Sequence, residues 1–88
     1  MTSIRRADVL WRATLDGVLI RPLGAAEVIK LAGTGLTLWG ALDEPSTFEA
    51  LCSTLAATHD ADPAVVAGDL RPVIDDLAAR GVLDLIDG

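Results

Sequence analysis

The residues between Leu31 and Trp39 mark a change of pattern in the middle of this 88-residue chain. Segments before them are short and rich in strand-forming side chains. Segments after them repeat apolar side chains every three to four positions, as helices do. Gly33 and Gly35 supply a turn between the two patterns. The chain is therefore predicted to form strands first and helices second, as a single α+β domain spanning residues 1–88.

Three strands are predicted ahead of this change. Residues 9–13 form the first, and residues 18–21 return as the second after Asp16 and Gly17, a pair typical of two-residue hairpins in which both positions have positive φ. After a turn at residues 22–24, residues 27–31 form strand three at an edge of the sheet. An edge strand leaves backbone N–H and C=O groups unpaired.

Two helices are predicted directly after the glycines. Helix one spans residues 34–42, with Thr34 as its N-cap. Helix two begins at a capping box, in which Ser46 is the N-cap and Glu49 follows three residues later. An apolar stripe at helical spacing predicts that one side of helix two faces the core.

Helix three is predicted to begin at Asp62, an N-cap that precedes a proline, and to end before Gly81. Pro72 lies inside its apolar pattern, and a proline there predicts a kink because it lacks an N–H group. Residues 82–86 are apolar and predict a final strand or extended segment packed on the core.

The charge of the chain is unevenly distributed. The formal net charge is −6, with five basic and three acidic residues in 1–42, and two basic and ten acidic residues in 43–88. The helical half therefore carries −8 and repels phosphate, so no nucleic-acid partner is expected. Hydrophobic residues make up 51% of the chain, a share too high for a disordered segment.

The residues that usually carry catalysis or bind metals are few and isolated. Cys52 and His59 are the only cysteine and histidine, whereas a metal site needs three or four ligands. Asp75 and Asp76 are adjacent and point about 100° apart on a helix, so they do not converge as a catalytic pair would. We therefore expect no catalytic residues, no metal and no cofactor.

The residue pattern resembles the PqqD family, whose members are also called RiPP recognition elements, within a winged helix-turn-helix-like architecture. The resemblance covers residues 9–83. The matching positions are Asp16-Gly17-Val18-Leu19, Leu31-x-Gly33-Thr34-Gly35, Leu38-Trp39-x-x-Leu42, Pro45-x-Thr47 with Leu51 and Leu55, Asp69, and Leu77-x-x-x-Gly81-Val82-Leu83.

This resemblance implies a non-catalytic module that binds the leader peptide of a ribosomally synthesised precursor. The leader is captured as an extra strand beside strand three and presented to a maturation enzyme, which is a radical S-adenosylmethionine enzyme, a protease or a cyclase. Carried onto this chain, the peptide-binding residues are Glu27, Val28, Ile29, Lys30 and Leu31 on the strand, with Asp69, Val73, Asp76 and Arg80 on helix three.

Two other classes of function stay open at this point. One is a DNA-binding winged helix, which the acidic helix three argues against. The other is a regulatory protein–protein interaction domain, such as a dimeriser that uses the same free edge. The lone cysteine and the polar, basic residues 1–8 indicate a cytoplasmic protein, and no run of about 18 apolar residues predicts a membrane span. The chain is expected to be a monomer or weak dimer.

Overall fold

The computed structural model describes residues 2–87, which form six strands and three helices. The strands make two three-stranded antiparallel sheets, one in the order 46–47, 2–6, 83–87 and the other in the order 9–13, 18–22, 29–31. In chain order the elements are β1 (Thr2–Arg6), β2 (Val9–Ala13), β3 (Val18–Pro22), β4 (Ile29–Leu31), α1 (Thr34–Ala41), β5 (Ser46–Thr47), α2 (Phe48–His59), α3 (Pro63–Ala79) and β6 (Leu83–Asp87). The predicted α+β class, with a three-stranded antiparallel sheet followed by three helices, is confirmed.

The sheet that contains β1 was not predicted. Of the five residues of β1 only Ile4 is buried, so the segment shows no apolar alternation and looked like a polar terminus. Its partner is β6, the predicted extended tail, and Ile4 lies opposite Leu85 in an antiparallel register. A pairing between residues some eighty positions apart leaves no local pattern in the sequence, so β1 could not be recognised from its own residues.

The turn between β2 and β3 differs from the predicted two-residue hairpin. Ala13 pairs with Val18, so four residues form the loop, and the Thr14 N–H donates to the Gly17 carbonyl oxygen over 2.8 Å. Neither Asp16 nor Gly17 has positive φ. Glycine is needed at position 17 for a different reason, because a side chain there would collide with the backbone of β4.

The helix N-termini also lie slightly away from the predicted positions. Gly33, with φ 58°, is the N-cap of α1, and Thr34 is its first residue. The N-cap of α2 is Thr47, whose hydroxyl accepts from the Ala50 N–H over 3.2 Å. Ser46 does not fill this role, because α2 begins at Phe48 and the residue directly before it is Thr47.

Thr47→Ala is therefore expected to lower the free energy of unfolding by about 1 kcal/mol, the usual value of an N-cap hydroxyl. Ser46→Ala is the matched control, since the sequence alone favours Ser46 as the cap and the structure does not. Chemical denaturation of both variants distinguishes the two positions. A larger loss in Ser46→Ala than in Thr47→Ala would contradict the observed cap.

Helix α3 begins and ends where the sequence predicted. Asp62 caps it by accepting from the Ala64 N–H over 2.8 Å, and Gly81 follows its C-cap with φ 80°. The helix runs from Pro63 to Ala79 and continues past Pro72, which lies on its exposed side. Since proline has no N–H, the Gly68 carbonyl lacks its usual partner within the helix, but the helix does not end there.

The core is built from aliphatic side chains of both sheets and all three helices, and it includes Leu38 of α1, Leu55 of α2 and Ile74 of α3. At its margin, the Arg6 guanidinium lies 4.5 Å from the ring centroid of buried Trp39 and 5.0 Å from that of Trp11. The two indoles meet edge to face, with centroids 5.6 Å apart. This cluster joins β1, β2 and α1.

Among residues 2–87, no helix is long and apolar enough to cross a membrane.

Candidate functional site

Strand β4 lies at the edge of its sheet and pairs with β3 alone among residues 2–87. The C-terminal strand β6, which could have covered this edge, pairs with β1 instead. β4 comprises residues 29–31, shorter than the predicted 27–31. The ladder cannot extend towards Glu27 because the Pro22 opposite has no N–H, and its carbonyl oxygen accepts from the Ala25 N–H over 3.0 Å.

One residue of β4 has its backbone N–H and C=O groups on the open side of the strand. The Leu31 carbonyl approaches Gly17 so closely that a Cβ there would overlap its oxygen, so Leu31 directs its carbonyl towards β3. In an antiparallel ladder, successive residues direct their N–H and C=O groups to alternate sides. Ile29 therefore also faces β3, and Lys30 directs its N–H and C=O groups to the open edge.

Two cavities lie near the two ends of β4, and each is also lined by residues in or directly after α3. One, of about 300 Å³, is lined by Asp69 and Val73 of α3 and by Thr34, just beyond the end of β4. The other, of about 320 Å³, is lined by Arg80 after α3 and by Ile29 at the start of β4. The first half of α3 is therefore near the end of β4, and the end of α3 is near its start. We call the space between the edge of β4 and residues 69–80 the β4–α3 groove.

The charges along the groove differ between its two ends. Asp69 is exposed and forms no ion pair within the described part of the chain. One turn further along α3, half-exposed Val73 supplies an apolar surface. Asp76 then forms an ion pair with Arg80, whose Nε lies 3.1 Å from an Asp76 carboxylate oxygen. The groove therefore offers the carboxylate of Asp69 at one end, and the Asp76–Arg80 pair together with the carboxylate of Glu27 at the other.

The predicted site residues are divided by the strand into two sets. Glu27, Ile29, Asp69, Val73 and Arg80 line the two cavities of the groove, and Asp76 joins them through its pairing with Arg80. The side chains of Val28, Lys30 and Leu31 do not enter it. Leu31 is 9% exposed and belongs to the core, Val28 lines a depression on the opposite face of the sheet, and Lys30 binds Asp16.

Other residues of the first cavity were not among the predicted site residues. His59, at the end of α2, lies at its margin with Nε2 3.1 Å from the Thr37 hydroxyl, and Leu55 and Val65 form part of its apolar wall. Val65 is 59% exposed, high for a valine in a helix. That exposure depends on how α2 and α3 pack together, so the sequence carried no signal of it.

The ion pair between Lys30 and Asp16 connects β4 to the turn between β2 and β3. Lys30 Nζ lies 3.0 Å from a carboxylate oxygen of Asp16, and this hydrogen bond and charge lower the pKa of the exposed Asp16. A carboxylate whose pKa is lower in the folded than in the unfolded protein stabilises the folded state at pH values above the pKa of the unfolded protein. The contribution disappears as the pH falls through the lowered value.

Lys30→Gln is accordingly expected to raise the pKa of Asp16 back towards that of a free aspartate. An NMR titration that follows the chemical shift of the Asp16 side-chain carboxyl carbon with pH measures the change directly. An unchanged Asp16 titration in the variant would show that Lys30 does not pair with Asp16 in solution.

No group of three or more potential metal ligands occurs among the described residues. Cys52 is buried, and this burial raises the pKa of its thiol, so it is a poor nucleophile.

The chain is similar to known proteins of one family. The family model described as coenzyme PQQ synthesis protein D (PqqD) matches residues 17–83. A similar solved structure is the solution structure of the PqqD truncation of Methylobacterium extorquens PqqCD, described as a functional and stand-alone RiPP recognition element. It has a TM-score of 0.72 and 24% sequence identity, over 93% of this chain and 88% of that chain. No curated protein matches the chain significantly.

Proposed function

Because the chain belongs to the PqqD family, we propose that it captures the leader peptide of a ribosomally synthesised precursor by adding it as a strand to β4. Residues 1–88 act as one non-catalytic binding domain in this proposal. The domain then presents the bound leader to a maturation enzyme, of the radical S-adenosylmethionine, protease or cyclase class, without a cofactor of its own. Such a chain would work in the cytoplasm, where precursor peptides are made, as a monomer or weak dimer.

The observation that carries this proposal is the open edge of β4 beside α3. An extended peptide that pairs with an edge strand satisfies its own backbone groups and those of the edge, and this gives affinity with little sequence restriction. Alternate side chains of the peptide would then point into the β4–α3 groove. The two cavities of about 300 and 320 Å³ provide room for them at either end.

The groove also indicates which leader side chains fit. The first cavity is mainly apolar, with Leu55, Val65 and Val73 in its wall and Asp69 at its margin. An aliphatic or aromatic side chain would fill it, and a neighbouring basic or hydrogen-bond-donating side chain would reach the Asp69 carboxylate. The leader is therefore expected to carry an apolar residue next to a basic or donor residue.

Charges on α3 argue against the alternative of a DNA-reading helix. Its two nearby basic side chains are already engaged, because Arg71 stacks on the Phe48 ring at 3.9 Å and Arg80 pairs with Asp76. Asp69 and Asp75 remain exposed on the same helix. A helix that enters a DNA groove needs free basic groups instead.

The direct experiment is an NMR titration of the labelled chain with a synthetic peptide. The probe is an extended peptide that carries an apolar residue next to a basic residue, the pattern that the groove is expected to accept. Amide shifts are expected at residues 28–31 and along residues 66–77 of α3. Shifts confined to β5, β1 and β6, or no shifts at millimolar peptide, would contradict capture at β4.

Asp69→Lys is expected to weaken leader binding about tenfold, because it replaces an attraction for a basic or donor side chain with repulsion. Asp75→Lys is the matched control, with the same change of charge on an exposed position of the same helix that lines neither cavity. Isothermal titration calorimetry compares the two. Equal losses of affinity would show that only the net charge of α3 matters.

A further inference from the structure

The side of the sheet β2-β3-β4 that faces away from the core alternates apolar and cationic side chains. Leu10 lies opposite Arg21, and Arg12 lies opposite Leu19. Opposed residues of antiparallel strands place their side chains on the same face. These four residues and Val28 line a shallow depression of about 340 Å³. We call the surface formed by Leu10, Arg12, Leu19, Arg21 and Val28 the back face.

Two properties distinguish the back face from the rest of the molecule. Leu10 is 60% exposed and Val28 is 57% exposed, so the face presents apolar side chains to solvent. Arg12 and Arg21 form no ion pair within residues 2–87, and no acidic residue lines the depression. A chain with net charge −6 thus concentrates two free arginines and exposed aliphatic groups on one face. Exposed apolar patches with arginine are typical of protein interfaces.

We propose that the back face docks an acidic protein surface with apolar side chains at its centre, and that this surface belongs to the maturation enzyme. This inference rests on the proposed leader capture. A leader paired with β4 widens the sheet by one strand, and its alternate side chains join the back face. A protein seated on the back face therefore contacts both this chain and the leader.

Charge complementarity favours a protein as the occupant. Nucleic acids and anionic membranes extend well beyond the area of Arg12 and Arg21, and the net charge of −6 on the chain repels such extended anions. A protein surface can confine its acidic groups to the two arginines. A second copy of this chain could offer acidic α3, but such a head-to-tail contact would build rings or chains of molecules, which light scattering detects.

The test uses a purified candidate maturation enzyme of the radical S-adenosylmethionine, protease or cyclase class as the probe, with surface-immobilised chain. The double variant Arg12→Glu/Arg21→Glu is expected to bind the enzyme at least about thirtyfold more weakly, as loss of interfacial arginines does. It keeps its leader affinity within about twofold, because the edge of β4 is separate. Arg5→Glu/Arg71→Glu is the matched control, with the same change of net charge away from the back face, and it retains enzyme binding.

Each outcome decides for or against the inference. Unchanged enzyme affinity in Arg12→Glu/Arg21→Glu overturns it. Two other results overturn it as well, provided that the variant keeps its enzyme affinity. One is that the variant no longer binds phosphatidylglycerol vesicles that the unaltered chain binds. The other is that it loses a concentration-dependent self-association that light scattering detects in the unaltered chain. If the variant loses the enzyme while the unaltered chain fails to bind the leader peptide, the back face is supported and the proposed leader capture fails.

Discussion

A chain carrying Lys30→Pro is expected to fold normally and to bind the leader peptide at least about tenfold more weakly. Lys30 directs its N–H away from β3, so proline there removes no hydrogen bond of the sheet, which is where strands tolerate it. A leader strand beside β4 would lose a main-chain hydrogen bond and meet the pyrrolidine ring. An acceptor left unpaired costs about 1–3 kcal/mol, and about 1.4 kcal/mol is a factor of ten in affinity.

Lys30→Gln is the control for this experiment, because it removes the side-chain charge and keeps the backbone N–H. It is expected to bind the leader nearly as well as the unaltered chain, since the Lys30 side chain pairs with Asp16 and does not enter the groove. Calorimetry gives the affinities, and thermal unfolding verifies that both variants fold. If the Lys30→Pro and Lys30→Gln variants bind the leader equally well, the leader does not pair with β4.

Gly17→Ala is expected to lower the free energy of unfolding by about 1–3 kcal/mol, the usual cost of forcing a methyl group into packed surroundings. A Cβ at position 17 would overlap the Leu31 carbonyl oxygen and lie 3.4 Å from the Leu31 carbonyl carbon. Both neighbours are backbone atoms of β4, so no flexible side chain can move aside. The strand must shift, and amide shifts of residues 29–31 are expected to change with it.

Gly40→Ala provides the comparison, because no atom lies within 4 Å of a Cβ built at Gly40. Gly40 belongs to α1, where alanine favours the helix by up to about 1 kcal/mol. Urea unfolding of the two variants is therefore expected to move in opposite directions. Equal stability of the two alanine variants would show that position 17 has more room than the close approach to β4 indicates.

The two experiments examine the same strand from its two sides. Gly17 holds the inner side of β4 close to β3, whereas Lys30 presents the outer side to solvent. A loss of stability in Gly17→Ala together with a loss of affinity in Lys30→Pro would separate the structural role of one side from the binding role of the other.

Local chemistry in the sequence predicted several features that the structure confirms. Asp62 followed by Pro63 starts α3, and Gly81 follows its end, because capping and positive φ are properties of single residues and their near neighbours. The three-stranded sheet before the helices and the buried side of α2 were also predictable, because strand and helix periodicity are patterns of neighbouring residues. The PqqD resemblance, carried by the order of these short motifs, is confirmed by the family match over residues 17–83.

Only the tertiary structure decided the features that depend on residues distant in the chain. Strand β1 exists because β6 pairs with it, and that pairing also leaves the edge of β4 open. The role of Gly17 depends on the approach of Leu31, and the division of residues 27–31 between groove, core and back face depends on the register with β3. Capping and helical periodicity act over a few residues and can be read locally, whereas strand pairing and packing join groups that no local pattern connects.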